Sequence, residues 1–118
     1  MREPRLLLVC TAVNKLYTAL LLGVEAAKQG VKVDLVCMGT SVTGLTADGV
    51  DLVEPLPGHP APLEMLRELR RLGCRVYACK LALEALGHDE EDLVEGVELT
   101  NPADIVRMVM EYGRVLSL

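Results

Sequence analysis

The sequence is nearly devoid of aromatic residues: its 118 positions hold three Tyr, no Phe and no Trp. The core must therefore be built from aliphatic side chains, and a protein that stacks single-stranded nucleic acid on aromatic rings is disfavoured. The formal net charge of −5 also argues against nucleic acid and anionic membrane surfaces. We therefore expect no nucleic-acid partner and no membrane partner.

Long apolar runs are also missing. No stretch approaches the roughly 18 consecutive apolar residues that a membrane-spanning helix needs. The apolar run near the start ends at Asn14 and no small-residue cleavage motif follows it, so we do not expect a signal peptide. A length of 118 residues and a hydrophobic content of 51% are ordinary for one globular unit. The prediction is a single domain over residues 1–118, located in the cytoplasm.

Motifs for common cofactors are absent from the sequence. It contains neither the phosphate-binding pattern G-x-x-x-x-G-K-[ST] nor a G-x-G-x-x-G after the first apolar run. The segment GTSVTG resembles the nucleophile elbow of hydrolases, but that motif requires glycine where Thr43 stands. We therefore predict that no cofactor is bound.

The four cysteines do not show the spacing of a zinc site. They stand at positions 10, 37, 74 and 79, so no C-x-x-C pair is present, and neither His59 nor His88 lies at ligand spacing from a cysteine. Nothing marks the chain as secreted, which favours reduced thiols over a disulfide framework. We predict no metal site and four free thiols.

Short apolar runs alternate with amphipathic segments along the whole chain. The predicted strands are 5–11, 31–38, 74–79, 97–99 and 114–118, and the predicted helices follow the first four of them. The first run is continuously apolar, which is typical of a strand covered on both faces. The alternation predicts an α/β fold: one doubly wound, mostly parallel five-stranded sheet with helices on both faces, as in flavodoxin and Rossmann folds.

Local signals refine this prediction. Asn14 is predicted as the N-cap of the first helix, and Asn101-Pro102 begins the last helix. Residues 39–60 are rich in Gly, Thr and Pro without clear periodicity, which favours a functional or mobile loop that gates a site. The residues predicted to be buried by the last helix are Ile105, Met108, Val109 and Tyr112.

Three cysteines fall at or near the carboxyl ends of predicted strands, where parallel α/β sheets collect ligands and chemistry. Cys79 stands directly at a strand-to-helix junction, where unpaired N–H groups and the charge of Lys80 would favour its thiolate form. Cys10 and Cys37 are candidate secondary thiols, whereas Cys74 begins its strand at the opposite edge. The alternative for all four is core packing, because free cysteine is among the most buried residue types.

Two segments carry a resemblance to a known family. VYACKLALEALGHDEEDLVEGVEL (76–99) is similar to proteins of the DsrE/DsrF-like family of small sulfur-relay proteins, some of which are labelled "peroxiredoxin family". Members typically show a strand ending in Cys, then Lys or Gln, a short helix, a Gly, an acidic turn and Gly-Val-Glu. NKLYTALLLGVEAAKQGVKVDLV (14–36) resembles their first helix and second strand.

The resemblance implies a doubly wound fold, a homotrimer or homohexamer, and a cysteine that carries sulfur as a persulfide. By position that cysteine is Cys79, and its partners would be protein donors and acceptors with reactive thiols. The stripe of the first helix, together with Met108 and Met110 of the last, would suit an oligomer interface. This chain departs from many relatives at Ala82, where they have Ser, and LTNPAD replaces their usual Gly-Gly pair after Gly-Val-Glu.

Three functions follow from these observations. The leading hypothesis is a sulfur carrier or sulfurtransferase-like protein, with Cys79 as the catalytic residue and Lys80 in support. The alternative is a non-catalytic oligomeric binding or regulatory subunit whose thiols are inert. A third is a thiol redox sensor, in which Cys79 would form a disulfide with a second cysteine.

Overall fold

The protein is built from alternating strands and helices, as seen in a computed structural model that describes residues 4–118. The strands are β1 (Arg5–Cys10), β2 (Lys32–Cys37), β3 (Arg75–Cys79), β4 (Val97–Thr100) and β5 (Val115–Ser117). The α-helices are α1 (Leu16–Lys28), α2 (Pro62–Arg71), α3 (Lys80–Ala85) and α4 (Pro102–Tyr112). Shorter 3-10 helices occupy Val13–Lys15, Gly39–Leu45, Val50–Leu52 and Glu90–Asp92.

The strands form one sheet in the order β4-β3-β2-β1-β5, and every neighbouring pair is parallel. The chain adds β2, β3 and β4 on one side of β1 and then returns to place β5 on the other side. Because crossovers between parallel strands are right-handed, this reversal puts the first three helices on one face of the sheet and α4 on the other. The predicted doubly wound α/β fold with helices on both faces is confirmed.

The larger core lies on the face covered by α1, α2 and α3, which we call face A. Leu8 of β1, Leu35 of β2 and Val76 of β3 pack there with Leu20 of α1 and Leu69 of α2. All five are nearly inaccessible to solvent. Aliphatic side chains therefore build this core, as the scarcity of aromatic residues requires.

The opposite face, face B, is covered by a single helix. Its buried cluster contains Leu7, Val9 and Val36 of the sheet, Cys79, and Ile105 of α4. One helix cannot cover five strands, since a helix with its side chains is only about 10–12 Å wide and strands are about 4.8 Å apart. Tyr77 of β3 consequently remains partly exposed.

The ends of α4 follow the sequence signals. The Asn101 side chain accepts a hydrogen bond from the Asp104 N–H at 3.0 Å, and Pro102 occupies the first turn. Gly113 ends the helix with a φ of 74°, a conformation that glycine adopts without the cost of a Cβ atom. The predicted start of this helix is confirmed.

Two local predictions are wrong. Asn14 does not cap α1, because it lies inside the 3-10 helix Val13–Lys15 and α1 begins only at Leu16. Val109 is not buried, because α4 contacts the sheet along a narrow stripe that includes Ile105 and leaves Val109 on the outer side.

Residues 39–60 are more ordered than the prediction of a mobile loop implies. They contain two 3-10 helices, and Val42, Leu45, Val50 and Val53 are buried in the core of face A. Only residues 54–61 are exposed without interruption. The first part of the segment therefore belongs to the folded core.

Gly49→Ala tests how tightly this segment is packed. A Cβ atom at Gly49 would lie 1.9 Å from the Thr43 carbonyl oxygen, a backbone atom that cannot move aside. We expect the free energy of unfolding to fall by about 3 kcal/mol, at the upper end of typical overpacking effects. The measurement is urea denaturation followed by circular dichroism.

Gly23→Ala is the matched control for this substitution. The nearest atom to its new Cβ is a terminal methyl of Leu69 at 3.1 Å, and alanine is favoured over glycine inside a helix by about 1 kcal/mol. We expect a change of stability below about 1 kcal/mol. Equal losses in the two variants would show that residues 39–53 are loosely held.

Candidate functional site

Cys79 lies where β3 ends and α3 begins. It is the last residue of the strand and the N-cap residue of the helix, with an extended backbone (φ −69°, ψ 118°). Its partner in the ladder is Thr100, the last residue of β4. The structure therefore places Cys79 at the predicted strand-to-helix junction, at the carboxyl edge of the sheet; its chemical role stays a prediction.

The environment of Cys79 is apolar and closed. Only 2% of its surface is exposed, and it belongs to the small cluster of face B that includes Val36 and Ile105. Met38, just beyond β2, packs partly buried against the same cluster. A reagent or partner thiol therefore reaches the sulfur only when part of this apolar cover moves aside.

Lys80 begins α3 and projects into solvent. Its side chain is 62% exposed, and its Nζ lies 3.9 Å from Oε1 of Glu84 one turn later. An exposed pair of this kind contributes little to stability. The first N–H groups of α3 have no partner within the helix, but α3 is only six residues long, so its dipole is small. The exposed charge of Lys80 and the N–H groups of this short helix therefore place only a modest positive potential beside Cys79.

Cys10 and Cys37 lie on the other side of the sheet from Cys79. They are direct partners at the ends of β1 and β2, and both are fully buried in the core of face A. Burial raises the pKa of both thiols, more strongly for Cys37. Their predicted role as secondary thiols for Cys79 stays a prediction, and it would require the sheet edge to open.

Cys74 lies at the amino edge of the sheet, just before β3. Burial raises the pKa of its thiol, and the nearby charge of Asp34 raises it further. Cys74 is therefore separated from Cys79 by the length of a strand, which makes it a natural control residue.

A polar anchor at the amino edge was missed by the sequence prediction. Asp34, buried within β2, accepts hydrogen bonds from the Tyr112 hydroxyl of α4 and from the Arg75 N–H at 2.9 Å. The Arg5 guanidinium carbon lies 4.2 Å from the centre of the Tyr112 ring. Burial, followed by the hydrogen bond to Asp34, raises the pKa of Tyr112 to about 12. A lone acid inside an apolar strand is the sequence signal that could have revealed it.

The end of α4 is thus fixed to the sheet at the edge opposite Cys79. Near Cys79 the helix is held by apolar contacts of Ile105, whereas Tyr112 is held by a hydrogen bond to a buried carboxylate. Apolar contacts have no directional requirement, whereas the hydrogen bond fixes one geometry. The two ends of α4 are therefore held to the sheet by different kinds of contact.

A surface groove lies beside the carboxyl end of β1. Its volume is about 420 Å³, and its walls include Val13, Tyr17, Leu52 and Leu56. Cys79 does not line this groove. Among residues 4–118 no helix is long and apolar enough to cross a membrane, and no group of three His, Cys, Asp or Glu side chains is arranged to hold a metal ion.

Ile105→Ala tests whether α4 controls access to Cys79. The truncation removes part of the apolar cover, so local opening near Cys79 should become easier, and stability should fall by about 2–4 kcal/mol. We expect Cys79 to react severalfold faster with iodoacetamide at neutral pH, measured by peptide mass spectrometry under conditions where the variant remains folded.

Cys74 provides the internal control in the same sample. Its position at the opposite edge is remote from Ile105, so its rate should not change. An equal acceleration of Cys74 and Cys79 would mean that the labelling follows global unfolding and that α4 is not a selective cover.

Two curated archaeal proteins are similar to this chain. The uncharacterized protein MK0008 of Methanopyrus kandleri is 33% identical over 104 residues, which cover 87% of this chain and 81% of that protein. The uncharacterized protein MJ0989 of Methanocaldococcus jannaschii is 30% identical over 105 residues, which cover 88% of this chain and 87% of that protein. Neither name states an activity.

Solved structures share the fold. The ychN protein from E. coli superposes with a TM-score of 0.77 at 19% identity, covering 99% of this chain and all of that one. MTH1491 from Methanobacterium thermoautotrophicum, a protein of unknown function, gives a TM-score of 0.72 at 22% identity, covering 98% of this chain and all of the other. At these identities the likeness establishes the fold alone.

The family comparison covers nearly the whole chain. The model of the DsrE/DsrF-like family matches residues 5–118, which include all five strands, all four α-helices and the Cys79 junction. This protein belongs to the DsrE/DsrF-like family.

Proposed function

We propose that the protein is a sulfur carrier that holds a persulfide on Cys79 and passes it to the thiol of a partner protein. The observation that carries the proposal is the position of Cys79, at a strand-to-helix junction on the carboxyl edge of the sheet, in a chain of the DsrE/DsrF-like family. Such junctions are where parallel α/β sheets hold reactive groups.

Both transfer steps balance without an external oxidant. The Cys79 thiolate attacks the outer sulfur of a donor persulfide, an S–S bond breaks, and the donor leaves as a thiolate while Cys79 becomes Cys-S-SH. An acceptor thiolate then attacks the outer sulfur of Cys79 and releases the Cys79 thiolate. Each step is a thiol exchange, whose rate depends on the thiolate fraction of the attacker and on access to the sulfur attacked.

The residues around Cys79 suit storage of the sulfur better than rapid exchange. The apolar side chains of Val36, Ile105 and Met38 surround the position of the bound sulfane sulfur and would slow its reaction with water-borne reductants. Lys80 supplies one exposed positive charge beside the junction. Transfer accordingly needs a partner that displaces this cover, which restricts the exchange to proteins that bind the carboxyl edge of the sheet.

The second candidate is a non-catalytic binding or regulatory subunit with inert thiols. The near-complete burial of Cys79 favours it, as does Ala82 in the place of the hydroxyl that many relatives carry. The intramolecular redox sensor has less support, because the two thiols at the same edge of the sheet, Cys10 and Cys37, lie in the core of face A while Cys79 lies in the cluster of face B.

Self-association is part of the proposal. The outer side of α4 presents Val106, Val109 and Met110 to solvent, and the edge strand β5 beside it exposes Val115 and Leu116. Val115 is the ladder partner of Leu7 and points to face B, as α4 does, whereas Leu116 is the partner of Leu8 and points to face A. The exposed apolar side chains on the thinly covered side of the sheet are therefore those of α4 and Val115. We propose that further copies of the chain cover them in a homotrimer or homohexamer, in a reducing cytoplasmic setting that keeps the thiols free.

Sulfur loading of Cys79 is the direct test of the carrier function. Reduced protein is incubated with a cysteine desulfurase and cysteine, and intact mass with peptide mapping is then recorded. We expect one added sulfur atom on the Cys79 peptide, reversed by dithiothreitol and absent in Cys79→Ser.

Cys74→Ser is the matched control, because it removes a buried cysteine that lies just before β3, at the opposite edge of the sheet. It should load as the unmodified protein does. No sulfur uptake under conditions that load an established carrier, together with thiols that react only after unfolding, would favour the inert binding subunit instead.

Met110→Glu tests the proposed interface. Met110 is 78% exposed in the single chain, so a charge there costs the folded protomer little but opposes burial between copies. We expect the variant to sediment mainly as a monomer while the unmodified protein sediments as a trimer or hexamer.

Leu52→Glu is the control for that experiment. Leu52 is 79% exposed and lies beyond face A, away from α4. The variant should keep the assembly. Dissociation by Leu52→Glu and not by Met110→Glu would move the interface to the groove beside β1.

A further inference from the structure

Two thiols that the proposed carrier chemistry does not use lie side by side. Cys10 and Cys37 end neighbouring parallel strands and are direct partners in the ladder. Both are buried in the core of face A. We propose that Cys10 and Cys37 together form a two-thiolate site for a soft monovalent cation, copper(I) in chemical type. The proposal does not depend on sulfur transfer at Cys79.

The spacing of the strands favours a bridging ion over a disulfide. Neighbouring strands are about 4.8 Å apart, and the side chains of direct partners leave the sheet on the same face. Because the Cα–Cβ bonds of direct parallel partners are nearly parallel, their Cβ atoms are separated by about the strand spacing. A disulfide needs Cβ atoms about 3.5–4.5 Å apart, which is slightly less. Two collinear metal–sulfur bonds of about 2.3 Å, the length known for zinc thiolates, place the two sulfur atoms about 4.6 Å apart, close to the spacing of the strands. The intact ladder therefore suits a sulfur–metal–sulfur bridge.

Hydrogen bonds and close packing fix the backbone at the carboxyl end of β1. The Cys10 carbonyl oxygen accepts hydrogen bonds from the Ser41 hydroxyl at 2.8 Å and from the Met38 N–H at 2.9 Å. The same hydroxyl lies 2.6 Å from the Met38 carbonyl oxygen. Gly39 passes so near β1 that a Cβ atom there would lie 2.6 Å from the Thr11 carbonyl oxygen. Preorganised ligands of this kind lower the ordering cost of binding.

The surroundings select the type of ion. Thiolates are soft ligands that prefer copper(I), whereas a structural zinc site needs four ligands. Among the described residues no third His, Cys, Asp or Glu side chain completes such a set. Two-coordinate binding by a closed-shell monovalent ion is therefore the chemistry that the pair can support.

Copper(I) binding replaces the protons of the two thiols. Burial raises the pKa of both thiols, so each holds its proton at neutral pH, while the Ser41 hydroxyl beside them opposes that shift. One copper(I) ion and two thiols give one bis-thiolate complex with a single negative charge and two released protons, without electron transfer. The charge of Lys15, which already favours the Cys10 thiolate, offsets part of the charge of the complex.

The test is an anaerobic titration with copper(I) in competition with a chromogenic copper(I) chelator. The reduced protein is compared with Cys10→Ser, Cys37→Ser, and the matched variants Cys74→Ser and Cys79→Ser. We expect one ion per chain, and a loss of affinity in either site variant that exceeds the roughly 10–100-fold cost of removing an outer-shell partner. Because two protons leave, the affinity should rise about 100-fold per pH unit near neutrality.

Several results would overturn the proposal. Copper(I) affinity kept in both site variants, or lost in Cys79→Ser, would assign the ion to other thiols. A Cys10–Cys37 disulfide formed by diamide in the folded protein would contradict the argument from strand spacing. Should the serine variants fail to fold by circular dichroism, X-ray absorption of copper in the unmodified protein decides: two sulfur ligands support the site, and three or more ligands refute it. Sulfur loading of Cys79 is scored separately, so failure of either proposal leaves the other standing.

Discussion

The register of the parallel ladder determines where each thiol can act. Arg5 to Cys10 pair residue for residue with Lys32 to Cys37, and Ala78 of β3 stands beside Cys37. Cys79 therefore comes one residue later and points to the opposite face, because successive side chains of a strand alternate. A register shift of one residue in β3 would exchange the two environments of its side chains. Three thiols at one edge thus occupy two separate compartments without any barrier other than the sheet itself.

The unequal cover of the two faces follows from the strand order. Three crossovers to one side of β1 place three helices on face A, and the single return to β5 leaves face B with α4. Packing on face A is consequently deep, and it buries Cys10 and Cys37 completely. On face B the cluster around Cys79 depends on one helix, so its stability near the carboxyl edge rests on few apolar contacts. Cys79 therefore lies on the face with the thinner cover, where fewer contacts oppose local opening.

The sequence predicted the fold well and the surroundings of the site poorly. The features that were predicted correctly depend on residues that lie close together in the sequence. They are the alternation of strands and helices, the Asn101 cap and the strand-to-helix junction at Cys79. The order of residues 39–53 was missed because Val42, Leu45 and Val50 are buried by contacts with distant elements and follow no single period. The exposure of Val109 was missed because the apolar pattern of a helix cannot reveal whether a partner covers its second side. The anchor between Asp34 and Tyr112 joins residues 78 positions apart, a distance over which no local pattern operates.

The scarcity of aromatic residues gives the protein a built-in optical reporter. With no tryptophan, near-ultraviolet absorption and emission come from three tyrosines: Tyr17 is buried and donates to the Pro60 carbonyl oxygen, while Tyr77 stands beside Arg75. Tyr112 alone belongs to α4, and its hydroxyl is bonded to a buried carboxylate. If the whole helix leaves the sheet, the pKa of that phenol falls from about 12 toward the ordinary value of about 10. The tyrosinate absorbance of the unlabelled protein at alkaline pH therefore distinguishes full release of α4 from a pivot that frees only its Cys79 end.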